Sequence, residues 1–230
     1  MSNGTLVIYA SLAGQAAPLP GVRLEAERSL GRYLNRLGDS EVRRYYHQHP
    51  DNKGLFFAGL TDRDAYTDFE IGLEAADRAR EFLVRSGEMF DHVLLDCSVQ
   101  RNDPFLPAML RHAGQIVLPI VPGIGAVHWF NAVRPMLENA GALKKLIPVA
   151  AMTQPFYLLD EVARQLGLAF AARFRFSREL ARCIDEGRLP DGVLEADGAN
   201  WTKNLRLLAK ALAAKDGELF MDEETAVNTP

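Results

Sequence analysis

"DHVLLDCSVQRNDPFLPAMLRHAGQIVLPIVPG", residues 91–123, contains two nearly continuous apolar runs, "HVLL" and "IVLPIVP". Runs of this kind, with no alternating polar positions, mark strands covered on both faces, as in a parallel sheet flanked by helices. Each run stops at residues that carry chemistry or a turn: Asp96, Cys97 and Ser98 after the first, Gly123 and Gly125 after the second. Where crossovers bring strand C-termini to one edge of a sheet, ligands are held just beyond those ends. The stretch therefore points to a fold class and to the place where function should be sought.

The same alternation continues on either side. Strands are expected at "TLVIYASL" (5–12), "GLFFAGL" (54–60), "KLIPVAAMT" (145–153) and "LAFAARFRF" (168–176), each rich in β-branched or aromatic residues. Between them, "RLEAERSLGRYLNRLG" (23–38) sets Leu24, Leu30, Leu34 and Leu37 mostly on one helical face and closes at Gly38. "LEAADRAREFLVRSG" (73–87) turns Leu73, Ala76, Phe82 and Leu83 inward. Further helices are expected at 128–141, 158–167, 177–187 (capped by Ser177) and 200–215. Strand and helix alternate throughout, which predicts an α/β domain with a doubly wound, mainly parallel sheet over residues 1–215. The remaining strand ends, Thr153 with Gln154 and then Ser177, join Asp96, Ser98, Gly123 and Gly125 on the predicted rim.

The chain has 230 residues, 48% hydrophobic and 24% charged, an ordinary globular composition with room for one large core. Its net charge of −4 is unevenly placed, because residues 216–230 hold five acids and no base and leave the rest near +1. That tail is expected to lack order, and the balance favours neither nucleic acid nor an anionic membrane as partner. Two distant cysteines, Cys97 and Cys183, form neither a disulfide framework nor a zinc spacing. No run approaches a membrane span and the first residues lack a signal peptide's features, so a cytoplasmic protein is expected.

Several segments together resemble the MinD/ParA-type ATPases, the deviant Walker (SIMIBI) P-loop proteins that position division sites, partition plasmids and localise pilus machinery. "FDHVLLDCS" is similar to that family's apolar strand ending in Asp-Cys. "LRHAGQIVLPIVPGIGAVHWFNAVRPML" is similar to a later strand, loop and helix, "LIPVAAMTQP" to the adenine-side strand, and "LGLAFAARFRFSRELARCIDEGRLP" to the closing segment. Upstream, "YASLAGQAAPLPGVRLEAERSLGRYL" is similar to the second strand and its loop, and "GLFFAGLTDRD" to the third strand. The "AGLTDRD" stretch and the Asp-Cys-Ser ending lean toward the CpaE- and TadZ-like pilus-assembly branch. The resemblance covers about nine-tenths of the chain. It implies a P-loop NTPase-like fold, a homodimer, protein partners, and a role for Asp96 in holding Mg²⁺ and water.

One departure from the family pattern is large. G-x-x-x-x-G-K-[ST] and its relaxed forms are absent from the sequence. The missing loop would supply backbone N–H groups around the β-phosphate, lysines against its charge, and a hydroxyl for Mg²⁺. Either "LAGQAAPLPG" is its degenerate remnant, or "TLVIYAS" is the second strand and the loop-bearing strand and helix are missing. Gly38 and Gly54 lie about 16 residues apart, too close for another strand with its crossover, which favours the second alignment. The strand so lost is central in the family's sheet. Its place would then be filled by neighbours closing up, by a partner chain, or by sequence outside this chain.

Other residues have competing readings. Asp96 serves equally as a cap accepting turn N–H groups. Cys97 has no His or Asn placed to activate it and reads as a small buried hydrophobe. "GIGAVH" has a dinucleotide-loop shape, but His128 stands at the third glycine, so Gly123 and Gly125 read as turn and helix-packing residues. "RRYYHQHP" (43–50) offers a basic, aromatic patch, against the plainer reading of a solvated loop. The helix containing "RLLAKALAAK" is amphipathic, but the acidic tail behind it argues against any membrane contact beyond a peripheral one, and for packing on the sheet. Three functions follow in order of preference. The first is a non-hydrolysing localisation or scaffolding protein in division, partition or pilus assembly. The second is an ATPase portion whose P-loop lies elsewhere, with ATP and Mg²⁺ as cofactors only in that case. The third is a small-ligand module using Asp96, Ser98 and the 123–125 turn.

Overall fold

A computed structural model describes residues 4–10, 22–35, 41–61, 63–64, 73–100, 103–186 and 198–213. The expected acidic tail and Cys183's side chain lie outside the described parts. The chain divides into two compact units, one built mainly from residues 1–112 and the other mainly from 113–230.

The first unit carries strands β1 (Thr5–Tyr9), β2 (His47–Gln48), β3 (Leu55–Gly59) and β4 (His92–Asp96), with helices α1 (Leu30–Asn35), α2 (Leu73–Met89) and α3 (Leu106–His112). The sheet order is β2-β3-β1-β4. β3 and β4 flank β1 in parallel, and β2 pairs antiparallel with β3 through two residues. Leu6 and Ile8 are fully buried on one face of β1, where they join Leu30, Tyr33, Tyr45, Ala79, Phe82 and Phe105 in one core. The aromatic members meet edge to face: Tyr33 lies 5.1 Å from both Tyr45 and Phe82, and Tyr46 lies 5.0 Å from Phe90. Such contacts add to the energy of burial itself.

Helix formation near residue 30 starts later than the leucine spacing predicts. Residues 22–28 are extended or form a single 3-10 turn, and Ser29 accepts the Arg32 N–H on its hydroxyl at 3.1 Å, which makes it the cap of a six-residue helix. Leu37 and Gly38 lie outside the described residues.

"RRYYHQHP" is not the solvated loop expected. Tyr45 and His47 are buried, and Arg28 holds the segment by donating to the carbonyls of Arg44 and Tyr46 at 2.6 and 2.5 Å. The Tyr46 hydroxyl meets Ser86 Oγ at 2.8 Å inside the core, and burial pushes its pKa to about 12. The rings that would have stacked on bases are structural.

The second unit is an all-parallel sheet in the order β5-β6-β7, from β5 (Ile116–Ile120), β6 (Leu146–Thr153) and β7 (Ala172–Arg175). Its helices are α4 (Ile124–Asn139), α5 (Leu159–Leu166), α6 (Arg178–Asp185) and α7 (Gly198–Ala213). Leu118, Ile120, Phe130, Val149, Ala172 and Leu166 are buried. α7 packs on the sheet as its sequence suggests, with Trp201 and Leu208 against Val149, Ala172 and Phe174. Asn204 fastens it: its Oδ1 accepts the Arg173 N–H at 2.8 Å, and its Nδ2 donates to the Asn200 carbonyl at 2.8 Å.

The strands are therefore mainly parallel and alternate with helices, but they form two sheets instead of one. Among the described residues, β4 pairs only with β1 and β5 only with β6.

Candidate functional site

In the first unit the strand-end residues converge on the loop after β4. Asp96 closes the strand in register with Tyr9, and its backbone carbonyl accepts the Ala10 N–H at 2.9 Å. Its carboxylate, together with burial as the larger cause, holds the Tyr9 phenol above its usual range. Cys97 packs partly against the core, and burial, then Asp103 and Asp96, push its thiol to about 12. Burial and neighbouring carboxylates of this kind disfavour the thiolate that a nucleophile needs.

Ser98 is committed to the loop. Both its N–H and its hydroxyl donate to Asp103 Oδ2, at 3.0 and 2.9 Å, and the Gln100 N–H donates to its Oγ at 3.3 Å. Asp103 is 1% exposed and accepts the Phe105 N–H on Oδ1 at 2.9 Å, starting α3. Sequence reading missed both Asp103 and α3, although Asp103-Pro104 before an apolar run is a helix-start signal. The loop after β3 has a similar organiser in Asp64, which accepts from Ser29 Oγ at 2.8 Å, Thr61 N at 2.6 Å and Thr61 Oγ1 at 2.9 Å.

In the second unit, Gly123 and Gly125 open α4. The Gly123 carbonyl accepts the Ala126 N–H at 3.1 Å. A Cβ at either glycine would meet no atom within 4 Å, so helix packing does not require them. Thr153 is buried at the end of β6, and its carbonyl accepts the Phe176 N–H at 3.1 Å. Ser177 caps α6 by accepting the Leu180 N–H at 3.2 Å. The structure thus brings Thr153 and Ser177 onto neighbouring strand ends, with structural duties for both. Asp96 and Ser98 belong to the other unit.

The second unit's rim has a feature invisible in the sequence. Val121, Ile124, Met152, Phe156, Leu158 and Phe176 all follow or end its strands, and they are 45–74% exposed. Met152 sits at φ 52°, in the left-handed region, where β6 and β7 lose register between Ala150 and Thr153. A β-bulge of this kind re-aims side chains at a sheet rim. Large apolar side chains exposed at the strand ends of one sheet suit contact with another protein.

The fold is that of the MinD/ParA ATPases. A ParA family ATPase from Chlorobium tepidum TLS superposes with a TM-score of 0.69 at 14% identity, covering 92% of this chain and 87% of that one. A chain of the MinC:MinD cell division protein complex from Aquifex aeolicus gives 0.69 at 11% identity, with 92% and 84% covered. The septum site-determining protein MinD complexed with Mg-ADP from Pyrococcus horikoshii OT3 gives 0.68 at 13% identity, with 91% and 83% covered. No protein-family model matches the sequence, and no curated protein is significantly similar to it.

The Pyrococcus protein holds Mg-ADP, and the sequence of this chain contains no G-x-x-x-x-G-K-[ST] loop. The dipeptide Gly-Lys does not occur in the chain. Its one lysine before Lys144 is Lys53, which precedes β3 and so lies at the opposite end of the parallel strands from Asp96. The hydroxyls of Ser98 and Ser177 already hold a loop and a helix cap. Among the described residues there is no group of three or more His, Cys, Asp or Glu that could hold a metal, and no helix long and apolar enough to cross a membrane.

Proposed function

We propose that this chain is a MinD/ParA-fold protein that does not hydrolyse ATP and acts through protein contacts, as a localisation or scaffolding protein in division, partition or pilus assembly. The reading is supported by a sequence that contains no G-x-x-x-x-G-K-[ST] loop and by the exposed apolar rim of the second unit. Phe156 and Leu158 are 69% and 74% exposed, and an apolar surface of this kind suits a protein partner. A dimer of such a protein would form without nucleotide, and the protein would work in the cytoplasm.

Calorimetric titration with Mg-ATP and a thermal-shift assay test the reading together. No heat and no change in melting temperature are expected at millimolar nucleotide. Saturable binding by this chain, or phosphate release above the buffer rate, would overturn it.

A second reading has its own support. β4 and β5 are apolar strands of the kind found inside sheets, yet each is paired on one side only among the described residues. An ATPase portion completed by a strand and P-loop encoded elsewhere would fill such an edge. Adding that segment in trans would then confer Mg-ATP binding that the chain alone lacks.

A further inference from the structure

The first sheet has two ends built in opposite ways. At one, β2 is only two residues long, with an exposed Gln48. At the other, β4 offers five residues in unbroken register with β1. Its sequence, His-Val-Leu-Leu-Asp, contains no proline, no lysine and no bulge to protect the edge, and its one charge is Asp96 at the end. Leu94, at its centre, is 54% exposed.

Backbone directions along β4 follow from its bonds to β1. The Asp96 carbonyl accepts the Ala10 N–H, and the His92 N–H donates to the Gly4 carbonyl. Alternate residues point the same way, so His92, Leu94 and Asp96 address β1, and Val93 and Leu95 direct their N–H and C=O groups to the side on which no described strand pairs. An added strand has to bond to those four groups.

We infer that β4 pairs antiparallel with β4 of a second copy of this chain, about a twofold axis through Leu94. In that register Val93 of each copy exchanges both backbone bonds with Leu95 of the other, which uses all the outward groups. Leu94 faces its own counterpart as a non-hydrogen-bonded pair, where side chains approach most closely and Cα atoms lie about 4.5 Å apart. His92 faces Asp96 twice, an imidazole that can donate to a carboxylate at each end. The edge is complementary to itself read backwards. A slip of one pairing step in either direction sets Leu94 against Asp96 or His92 and loses both polar pairs. That self-complementarity in charge and register selects a second copy over an unrelated strand.

The contact is small. Two five-residue strands bury less than the roughly 1,200 Å² of a stable interface, so the dimer dissociates on dilution in the micromolar range or above.

Sedimentation velocity without nucleotide, from about 1 to about 500 µM, reads this out, the range following from the weak affinity expected of so small a contact. The parent chain is expected to show a monomer–dimer equilibrium. Leu94→Lys should abolish it while keeping the parent's thermal melt. His92→Glu should weaken it several-fold, and adding Asp96→Arg to that variant should restore it, which a merely structural role for either residue would not do. Leu94→Cys should form a disulfide-linked dimer under mild oxidation, because the pair's spacing lies in the range a disulfide spans, whereas the parent, with its native cysteines, should not. A parent that stays monomeric throughout would overturn the inference. So would a dimer that requires Mg-ATP, or one that persists in Leu94→Lys without crosslinking through Leu94→Cys. A different occupant of the edge would show itself as the first of these results.

Discussion

Replacing Asp103 tests whether the loop after β4 is held by the three bonds its carboxylate receives. Asp103→Ala leaves the Phe105 N–H without its acceptor in a buried place, and the Ser98 N–H and hydroxyl without theirs in a part-buried one. An unsatisfied buried donor costs about 1–3 kcal/mol, and the hydroxyl can turn toward other acceptors, so the expected loss is roughly 3–5 kcal/mol. Asp103→Asn keeps one acceptor but turns an NH₂ toward donors, and should cost about 2 kcal/mol. Urea unfolding followed by circular dichroism gives both values from the shift in midpoint. Burial, the largest influence, raises the Asp103 carboxyl above its ordinary 3.8, outweighing the bonds from Phe105 and Ser98. The folded chain therefore binds this proton more tightly than the unfolded chain does. The resulting stabilisation is complete below the unfolded value and is lost as pH rises through the folded one. The parent's advantage over Asp103→Asn should accordingly shrink as pH rises from about 4. If Asp103→Ala lies within 1 kcal/mol of the parent, the loop is not held as described; if that advantage grows with pH, the bonds to the carboxylate outweigh its burial.

Three further outcomes are expected. Phe82→Ala, which empties a fully buried ring site, should cost about 3–5 kcal/mol in chemical unfolding, whereas Phe156→Ser at 69% exposure should change stability by less than about 0.5 kcal/mol. Ser177→Ala should lower stability by about 1 kcal/mol through loss of the α6 cap, and Ser177→Asp, which keeps an acceptor, should recover most of it in the same assay. Asn204→Leu should release α7 from β7, read as faster hydrogen exchange at the Arg173 amide and a loss of about 1–3 kcal/mol.

Much of the fold is legible because apolar runs report burial directly. "HVLL", "IVLPI" and "IPVAAM" became β4, β5 and β6 with ends displaced by only a few residues. Helices α2, α4, α5, α6 and α7 likewise follow from their periodicity. What failed was decided by side chains acting at a distance. Charge made "RRYYHQHP" look like surface, yet Arg28, some 16 residues upstream, satisfies the segment's carbonyls and lets Tyr45 and Tyr46 turn inward. Ser29 shortened a helix that leucine spacing alone would lengthen. The division into two sheets could not be read, since a strand's composition tells how deeply it is covered and not which neighbour covers it. The candidate rim was read as a row of polar and glycine residues. The hydroxyls of Ser98 and Ser177 proved to be tied up in local structure, and the rim also exposes apolar residues such as Met152 and Leu158, whose exposure no hydropathy pattern could distinguish from core.

The two-residue β2 has a consequence for assembly. A sheet open at both ends can add neighbours without limit, which is how fibres grow. Here one end offers too short a run of backbone to template anything. Whatever joins the first sheet through its other border completes a finite object, and a leucine-rich edge is kept without the hazard of runaway polymerisation.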